Sequence, residues 1–310
     1  MVLRLNWSSR SLSYAKILNN KDKAYRKREP ESFVKKLLGD GLVTTAEEVI
    51  SRTAFSSFYI EGQHIFEMLM KLGFLLTKNS LTIRVPGISK LFKTGDEIES
   101  EKLEKDVRAS ILGGLSGKEK RSQRISVDDL IDDCKTFYVA GQETTNSLLA
   151  WTVFLLAHHT DWQEEARKEV LQIFGKQTPN PDGIAKLKTM SMVINECLRL
   201  YSPVGSLSRK AEREVKLGKL IVPANVDLHA NRFTEGVAKA TNNNAGAFLP
   251  FGVGPRTCVG LNFAAIEAKI ALSMVLQRYS FTLSPGYVHL SLQQVTNRPL
   301  RGVQVMLYSL

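Results

Sequence analysis

The chain has 310 residues, 43% of them hydrophobic, enough for one large domain or two average ones with an ordinary soluble-protein core. Lys and Arg outnumber Asp and Glu by 42 to 31, a formal net charge of +11. No base-stacking aromatics interleave the basic runs and no nucleic-acid motif appears, which argues against that class of partner. No apolar run reaches the ~18 residues of a membrane span, and the N-terminus lacks the apolar core of a signal peptide. The three cysteines, Cys134, Cys197 and Cys258, are too few and too scattered for a disulfide framework or a zinc site, so a reducing compartment is the simpler setting.

Residues 1–44 are polar and basic with weak periodicity, and the sequence predicts a poorly ordered segment there. The remaining domain, 45–310, begins with a helix over Thr45 to Phe58, its apolar side formed by Val49, Ile50, Ala54 and Phe55. Further helices are expected over Ile65 to Leu76 and Ile98 to Leu112, then a Gly, Ser and Lys-rich loop over Gly113 to Ser122. Ser126 with Asp129 makes a capping-box-like start to one very long helix reaching about residue 158. Asp161 and Glu164 open the next helix, which runs to about Phe174, and Ile184 to Tyr201 forms another, stopped by Pro203. Short strands follow at Glu214 to Leu217 and Leu220 to Val222, then a strongly apolar helix over Val259 to Tyr279 and a strand over Val303 to Tyr308. The fold class is mainly α with small β-sheets (α+β). The basic runs Lys21 to Arg28 and Lys118 to Arg124 read as solvated loops, with a docking face for an acidic redox partner as the sharper alternative.

Three constellations carry chemistry. In Phe251-Gly-Val-Gly-Pro-Arg-Thr-Cys-Val-Gly260, a glycine-broken loop displays one cysteine just before a helix. Haem iron can be held by such a thiolate, and a helix N-terminus favours the anion. Gly252 and Gly254 permit turns closed to other residues; Gly260 would let the helix approach a flat cofactor. Phe251 would shield the sulfur, and Arg256 can pair with a propionate. A buried structural cysteine is the bland alternative for Cys258 alone, and a nucleotide loop fails on spacing. A cysteine nucleophile would need a histidine base, for which His229 is nearest in sequence but has no supporting motif. The second constellation, Glu196-Cys-Leu-Arg199, puts an acid and a base on one helical face. A surface pair worth little is the default for such a motif, but Met190, Val193 and Ile194 suggest that this helix is largely buried, and a buried pair would need a further donor, which Arg232 could supply. The third, Ala140-Gly-Gln-Glu-Thr-Thr145, places Gly141 and Thr144 where a helix can be locally distorted, with Glu143 and Thr144 as a proton-delivery pair and a solvated polar face as the plain alternative. His158 and His159 read as solvent-facing, Cys134 and Cys197 as core-facing. Asn6-Trp-Ser8 matches a glycosylation sequon, without a signal peptide to give it meaning.

In this order, the three motifs resemble the cytochrome P450 superfamily. Phe251 to Gly260 matches the Phe-x-x-Gly-x-Arg-x-Cys-x-Gly haem signature at every fixed position. Ala140 to Thr145 is similar to the oxygen-binding I-helix motif, Glu196 and Arg199 to the K-helix Glu-x-x-Arg, and Arg232 and Phe233 to the end of the Pro-x-Arg-Phe motif. The wording of Phe137 to Asn146 and Leu249 to Cys258 is similar to the plant clan that includes secologanin synthase. The resemblance runs from about Glu47 to the C-terminus. It implies a P450 fold and haem b (iron protoporphyrin IX) with Cys258 as the axial ligand. Arg209 and Arg256 would then sit on the propionates, Glu196, Arg199 and Arg232 would form a bracing triad, and Glu143 and Thr144 would deliver protons. It also implies a monooxygenase of plant secondary metabolism acting on an apolar small molecule: a terpenoid, a gibberellin-like diterpenoid or a fatty acid. Electrons would come from NADPH-cytochrome P450 reductase, on the cytosolic face of the endoplasmic reticulum membrane.

The chain departs from the family pattern in several places. The N-terminal anchor, the proline-rich hinge and the C-helix Trp-x-x-x-Arg motif are not found, and Trp7 and Arg10 do not have that spacing. The loop before the I-type helix is short around Gly113 to Arg121. Asp227-Leu-His-Ala-Asn-Arg232 joins directly two regions between which relatives place strands and a short helix. A truncated P450 is therefore expected. A cytosolic location is the alternative for a chain without its anchor, and a catalytically inactive remnant that at most binds a partner is the alternative for its function.

Overall fold

The computed structural model describes residues 2–5, 24–27, 67–69, 71–76, 78, 94–114, 127–217, 220–231, 248–254, 256–293 and 296–310. The expected helix over Thr45 to Phe58, most of the Gly113 to Ser122 loop, the Ser126 cap, the Lys118 to Arg124 run, Asn6 to Ser8 and Arg232 with Phe233 lie outside the described residues. The chain divides into two compact units, Met1–Arg28 with Thr144–Leu310, and Glu29–Glu143.

Within Glu29–Glu143, helical residues at 67–69 and 71–76 meet α1 (Gly95–Gly114) and α2 (Val127–Phe137) around a leucine-rich core. Leu69, Leu72, Leu75 and Leu76 recur at helical spacing and bury against Leu103, Val107, Ile131 and Val139. α1 begins earlier than its apolar pattern suggests because Thr94 and Glu97 form a reciprocal cap. The Thr94 N–H donates to Glu97 Oε2 at 2.9 Å and the Glu97 N–H to Thr94 Oγ1 at 3.3 Å. The last turn of this unit, Tyr138–Glu143, is a π-helix.

The larger unit is built on five helices among its described residues: α3 (Thr144–His158), α4 (Thr160–Phe174), α5 (Pro181–Lys186), α6 (Thr189–Leu200) and α7 (Leu261–Leu276). Their apolar stripes share one core that includes Trp151, Val170, Met190, Cys197, Leu272 and Phe281. Trp151 is wholly buried and stacks on Tyr201 at 4.2 Å between ring centroids. Burial of a tryptophan removes about 150–250 Å² from water, worth roughly 4–6 kcal/mol at ~25 cal/mol/Å². Its indole N–H and the Ser147 hydroxyl both donate to the Asn297 carbonyl, so a polar latch sits inside the apolar packing.

The sequence suggests one helix over Ile184 to Tyr201; the structure has two. α5 starts at Pro181, with Asn180 as N-cap accepting the Gly183 N–H at 2.9 Å, and ends at Leu187, whose backbone is extended. α6 then starts afresh. Its first N–H groups, from Lys188, Thr189 and Met190, are taken up by the Glu169 carboxylate of α4 at 2.7, 2.8 and 3.0 Å. Three otherwise orphaned donors are satisfied by an acid from another helix, a tertiary cap that local sequence does not announce.

Four small sheets complete this unit among the described residues. The largest has strand order β1-β6-β3-β2, from β1 (Val2–Leu5), β2 (Tyr25–Lys27), β3 (Ser206–Ala211) and β6 (Asp227–Asn231). β1 runs parallel to β6, while β3 is antiparallel to both β6 and β2. Two strands of this sheet thus come from the N-terminal stretch whose sequence shows weak periodicity. Hairpins β4 (Val215–Leu217) with β5 (Leu220–Val222), and β8 (Ser291–Gln293) with β9 (Asn297–Pro299), are antiparallel, as is the pair β7 (Tyr279–Leu283) with β10 (Val305–Ser309). No described helix is long and apolar enough to cross a membrane.

Candidate cofactor site

The cysteine loop is shaped by its own backbone. The Gly252 N–H donates to the Leu249 carbonyl at 3.0 Å, and Gly252 and Gly254 adopt φ of 77° and 84°. That left-handed region is costly for residues with a Cβ, which explains both glycines. Thr257 donates twice to the Gly254 carbonyl, from N at 3.0 Å and Oγ1 at 2.8 Å, and the Cys258 N–H returns to the Phe251 carbonyl at 2.8 Å. Gly260 is then the N-cap of α7, and a Cβ there would stand 3.9 Å from Cys258 Sγ. Phe251 is half-buried against the main core, tying the loop to the helices.

Cys258 is exposed as a residue, yet the loop desolvates its sulfur. Burial pushes the thiol above the ordinary cysteine range, opposed by the backbone N–H of Gly260. The arrangement offers a ligand that gains its anionic form when a metal takes the proton's place. Arg209, on β3, is buried with 8% of its surface exposed, and its acidity is raised first by burial and then by the charge of Arg256. Two guanidiniums 47 positions apart in sequence are thus electrostatic neighbours, and Arg256 lies two residues before the thiol. One soft sulfur and two guanidiniums fit an iron macrocycle carrying carboxylates: a thiolate for the metal and fork-shaped donors for the acids.

Glu196 and Arg199 form a bidentate pair, with Arg199 Nε donating to Glu196 Oε2 at 2.7 Å and Arg199 Nη2 to Oε1. Of the two readings of this pair, exposed and buried, the structure shows the exposed one. α6 buries Met190, Val193, Ile194, Cys197 and Leu198, but Glu196 lies on the opposite face with its side chain 52% exposed. Helical periodicity is the reason: residue 196 falls outside the stripe that its apolar neighbours define. The hydrogen bond from Arg199 lowers the Glu196 carboxyl pKa against a smaller effect of burial. Arg232, expected as a third member, lies outside the described residues.

The expected helix distortion appears as the π-helix Tyr138–Glu143, which contains Gly141. π-turns are rare and concentrate at functional sites. Glu143 is buried, Thr144 half-buried and Thr145 buried, which disfavours a simple solvated face for the acid. Cys197 is fully buried, with its thiol pushed up to about 12 by burial, and is structural as expected. Cys134 is half-buried beside the leucine core, and His158 and His159 are exposed.

Sequence reasoning missed Gln163 and Arg167, both buried on α4. A signal was available: both fall on the same helical stripe as Ala166, Val170 and Phe174, where polar residues need a reason to be.

Comparison with known proteins joins these features. The Cytochrome P450 family profile matches residues 88–236 and 228–302. The chain is 45% identical to Cytochrome P450 CYP749A22 of Panax ginseng, over 94% of this chain and 75% of that protein. It is 38% identical to Cytochrome P450 72A15 of Arabidopsis thaliana, over 87% and 61% respectively. It is also 38% identical to the 11-oxo-beta-amyrin 30-oxidase of Glycyrrhiza uralensis, over 85% and 60%. In overall fold, the cytochrome P450DA heme domain superposes with a TM-score of 0.75 at 18% identity, covering 99% of this chain and 87% of that one. The chain belongs to the cytochrome P450 family. It spans about 60% of the length of the second and third of these relatives. The match to the ginseng protein extends over 394 positions for a 310-residue chain, so it bridges segments that this chain lacks. The family profile itself breaks and restarts at residues 228–236, the junction flagged at Asp227 to Arg232.

Proposed function

We propose that the protein is a haem-thiolate monooxygenase that places one oxygen atom of dioxygen in an apolar small molecule and releases the other as water. The observation that carries this reading is the glycine-turned loop that presents Cys258 just before α7, with Arg256 two residues away acting electrostatically on the buried Arg209. Cys258 Sγ would hold the iron of haem b, losing its proton in doing so. Arg209 and Arg256 would hold the propionates, Phe251 would keep water from the sulfur, and Gly254 and Gly260 would leave room for the loop and for the helix that follows it. Bound haem would supply the activation of dioxygen. The Glu143 carboxylate and Thr144 Oγ1 would hold and pass on protons, a contribution of about 100- to 10,000-fold for a well-placed general acid. Glu196 and Arg199 would brace the haem-binding region, with Arg232 as third member. A terpenoid substrate is supported by the relatives named as 11-oxo-beta-amyrin 30-oxidases, in Medicago truncatula and Glycyrrhiza uralensis. Electrons would come from an NADPH-dependent flavoprotein reductase at the endoplasmic reticulum surface.

The test is optical. Protein expressed with ample haem, reduced and exposed to carbon monoxide, is expected to show the red-shifted Soret band of thiolate ligation, and Cys258→Ser to lose it. Because the thiol pKa is raised, haem affinity is expected to fall as pH is lowered, with a proton released on binding. Unchanged haem content and an unchanged spectrum in Cys258→Ser would overturn the reading.

A further inference from the structure

We infer that Gln163 and Arg167 of α4 are positioning residues for the cysteine ligand, acting by clamping the far end of α7. The inference rests on the proposed role of Cys258. Both side chains are more than nine-tenths buried, and both direct their polar atoms at the main chain that leaves α7. Arg167 Nε donates to the Leu276 carbonyl at 3.2 Å, and Arg167 Nη2 to the Tyr279 carbonyl at 2.9 Å and to Gln163 Oε1 at 3.0 Å. Gln163 Nε2 donates to the carbonyls of Leu156 at 3.0 Å and Phe281 at 2.8 Å, while its Oε1 also accepts the Phe281 N–H at 3.0 Å. Every donor and acceptor of the Gln163 amide is thereby used.

An apolar pair could fill this space without desolvating a guanidinium, so the polar choice fixes something that packing alone does not. The bonds fix the rotation and depth of the C-terminal end of α7, and the Arg167 cation stands where the helix dipole is negative. α7 is one unbroken helix of 16 residues, a rod of about 24 Å. Its other end begins three residues after Cys258, and the Ala264 N–H to Gly260 carbonyl bond at 2.8 Å couples the loop to the rod. A tilt or rotation at the clamp therefore moves the sulfur against the loop that presents it. The clamp acts through α7 and touches no reacting atom.

The test compares Arg167→Met and Gln163→Leu with Leu187→Ala, a core control that lowers stability without touching the clamp, at temperatures where the unfolded fractions match. Two readouts are taken: the share of haem-loaded, reduced protein showing the red-shifted carbon monoxide band, and hydrogen exchange at the amides of Cys258 and Ala264. The clamp variants are expected to lose much of the band at unchanged haem content and to exchange faster at both amides than the control, with Arg167→Lys restoring most of each. If Arg167→Met does not fold, Gln163→Leu against its own matched control decides. Band and exchange equal to those of the control would overturn the inference and leave the network a purely structural one. A wild-type protein that takes up no haem would defeat the haem reading instead, and the exchange comparison would still decide the clamp.

Discussion

Two Glu-x-x-Arg motifs lie 32 positions apart in this chain, and their fates are opposite. Glu164 and Arg167 on α4, like Glu196 and Arg199 on α6, form ion pairs at i and i+3. The Arg167 side chain is 8% exposed and gives two of its hydrogen bonds to the main-chain carbonyls of Leu276 and Tyr279; the Arg199 side chain is 30% exposed and donates twice to the Glu196 carboxylate. The motif therefore sets the local pair, and the surrounding stripe decides whether the arginine holds tertiary structure. Ser273 of α7 adds a third case: it is fully buried, and its hydroxyl has no hydrogen-bond partner.

The comparison can be broken most severely at Arg167. Arg167→Met takes the arginine donor from two carbonyls and one of two donors from the Gln163 oxygen, and a loss of about 3–5 kcal/mol is expected in urea unfolding. Glu169→Ala should cost less, about 1–3 kcal/mol, by stripping the acceptor from three N–H groups at the start of α6. Glu169→Gln should recover part of that loss. Glu196→Gln is expected to change stability by less than ~1 kcal/mol, since the pair is exposed to solvent. The sign of its pH dependence follows from the lowered carboxyl pKa. The stabilisation is present above the carboxyl's unfolded value and disappears as pH falls through the folded one, so wild type and Glu196→Gln should converge only at pH values below the lowered folded-state pKa. Ser273→Ala should move stability least and in the opposite direction, a gain within ~1 kcal/mol, because an unpaired buried hydroxyl is removed. A loss on Ser273→Ala as large as that at Glu169 would show that the hydroxyl has a partner and would end its use as the third case.

The cysteine loop was legible because its requirements are local. Gly252 and Gly254 are needed for backbone angles that only a few neighbouring residues define. The π-turn was half legible: Gly141 marked a weak point in the helix, but only the structure shows which hydrogen-bond register the chain takes there. Arg209 shows the limit, since it entered by resemblance alone. Its neighbourhood with Arg256 depends on β3 joining a sheet whose other strands come from both ends of a long stretch of sequence. Periodicity over Ile184 to Tyr201 likewise concealed a break, because the acid that caps α6 comes from α4.

From the order of residues alone follow the helical class, the thiol at position 258 with its turn-forming glycines, and the pairing of Glu196 with Arg199. These depend on neighbours within a few positions, where steric and hydrogen-bond rules act directly. Only the folded chain settled which arginine is buried, where one helix ends and the next begins, and which distant carbonyls Gln163 and Arg167 serve. Burial and long-range partners are properties of packing, and packing depends on which faces meet in three dimensions.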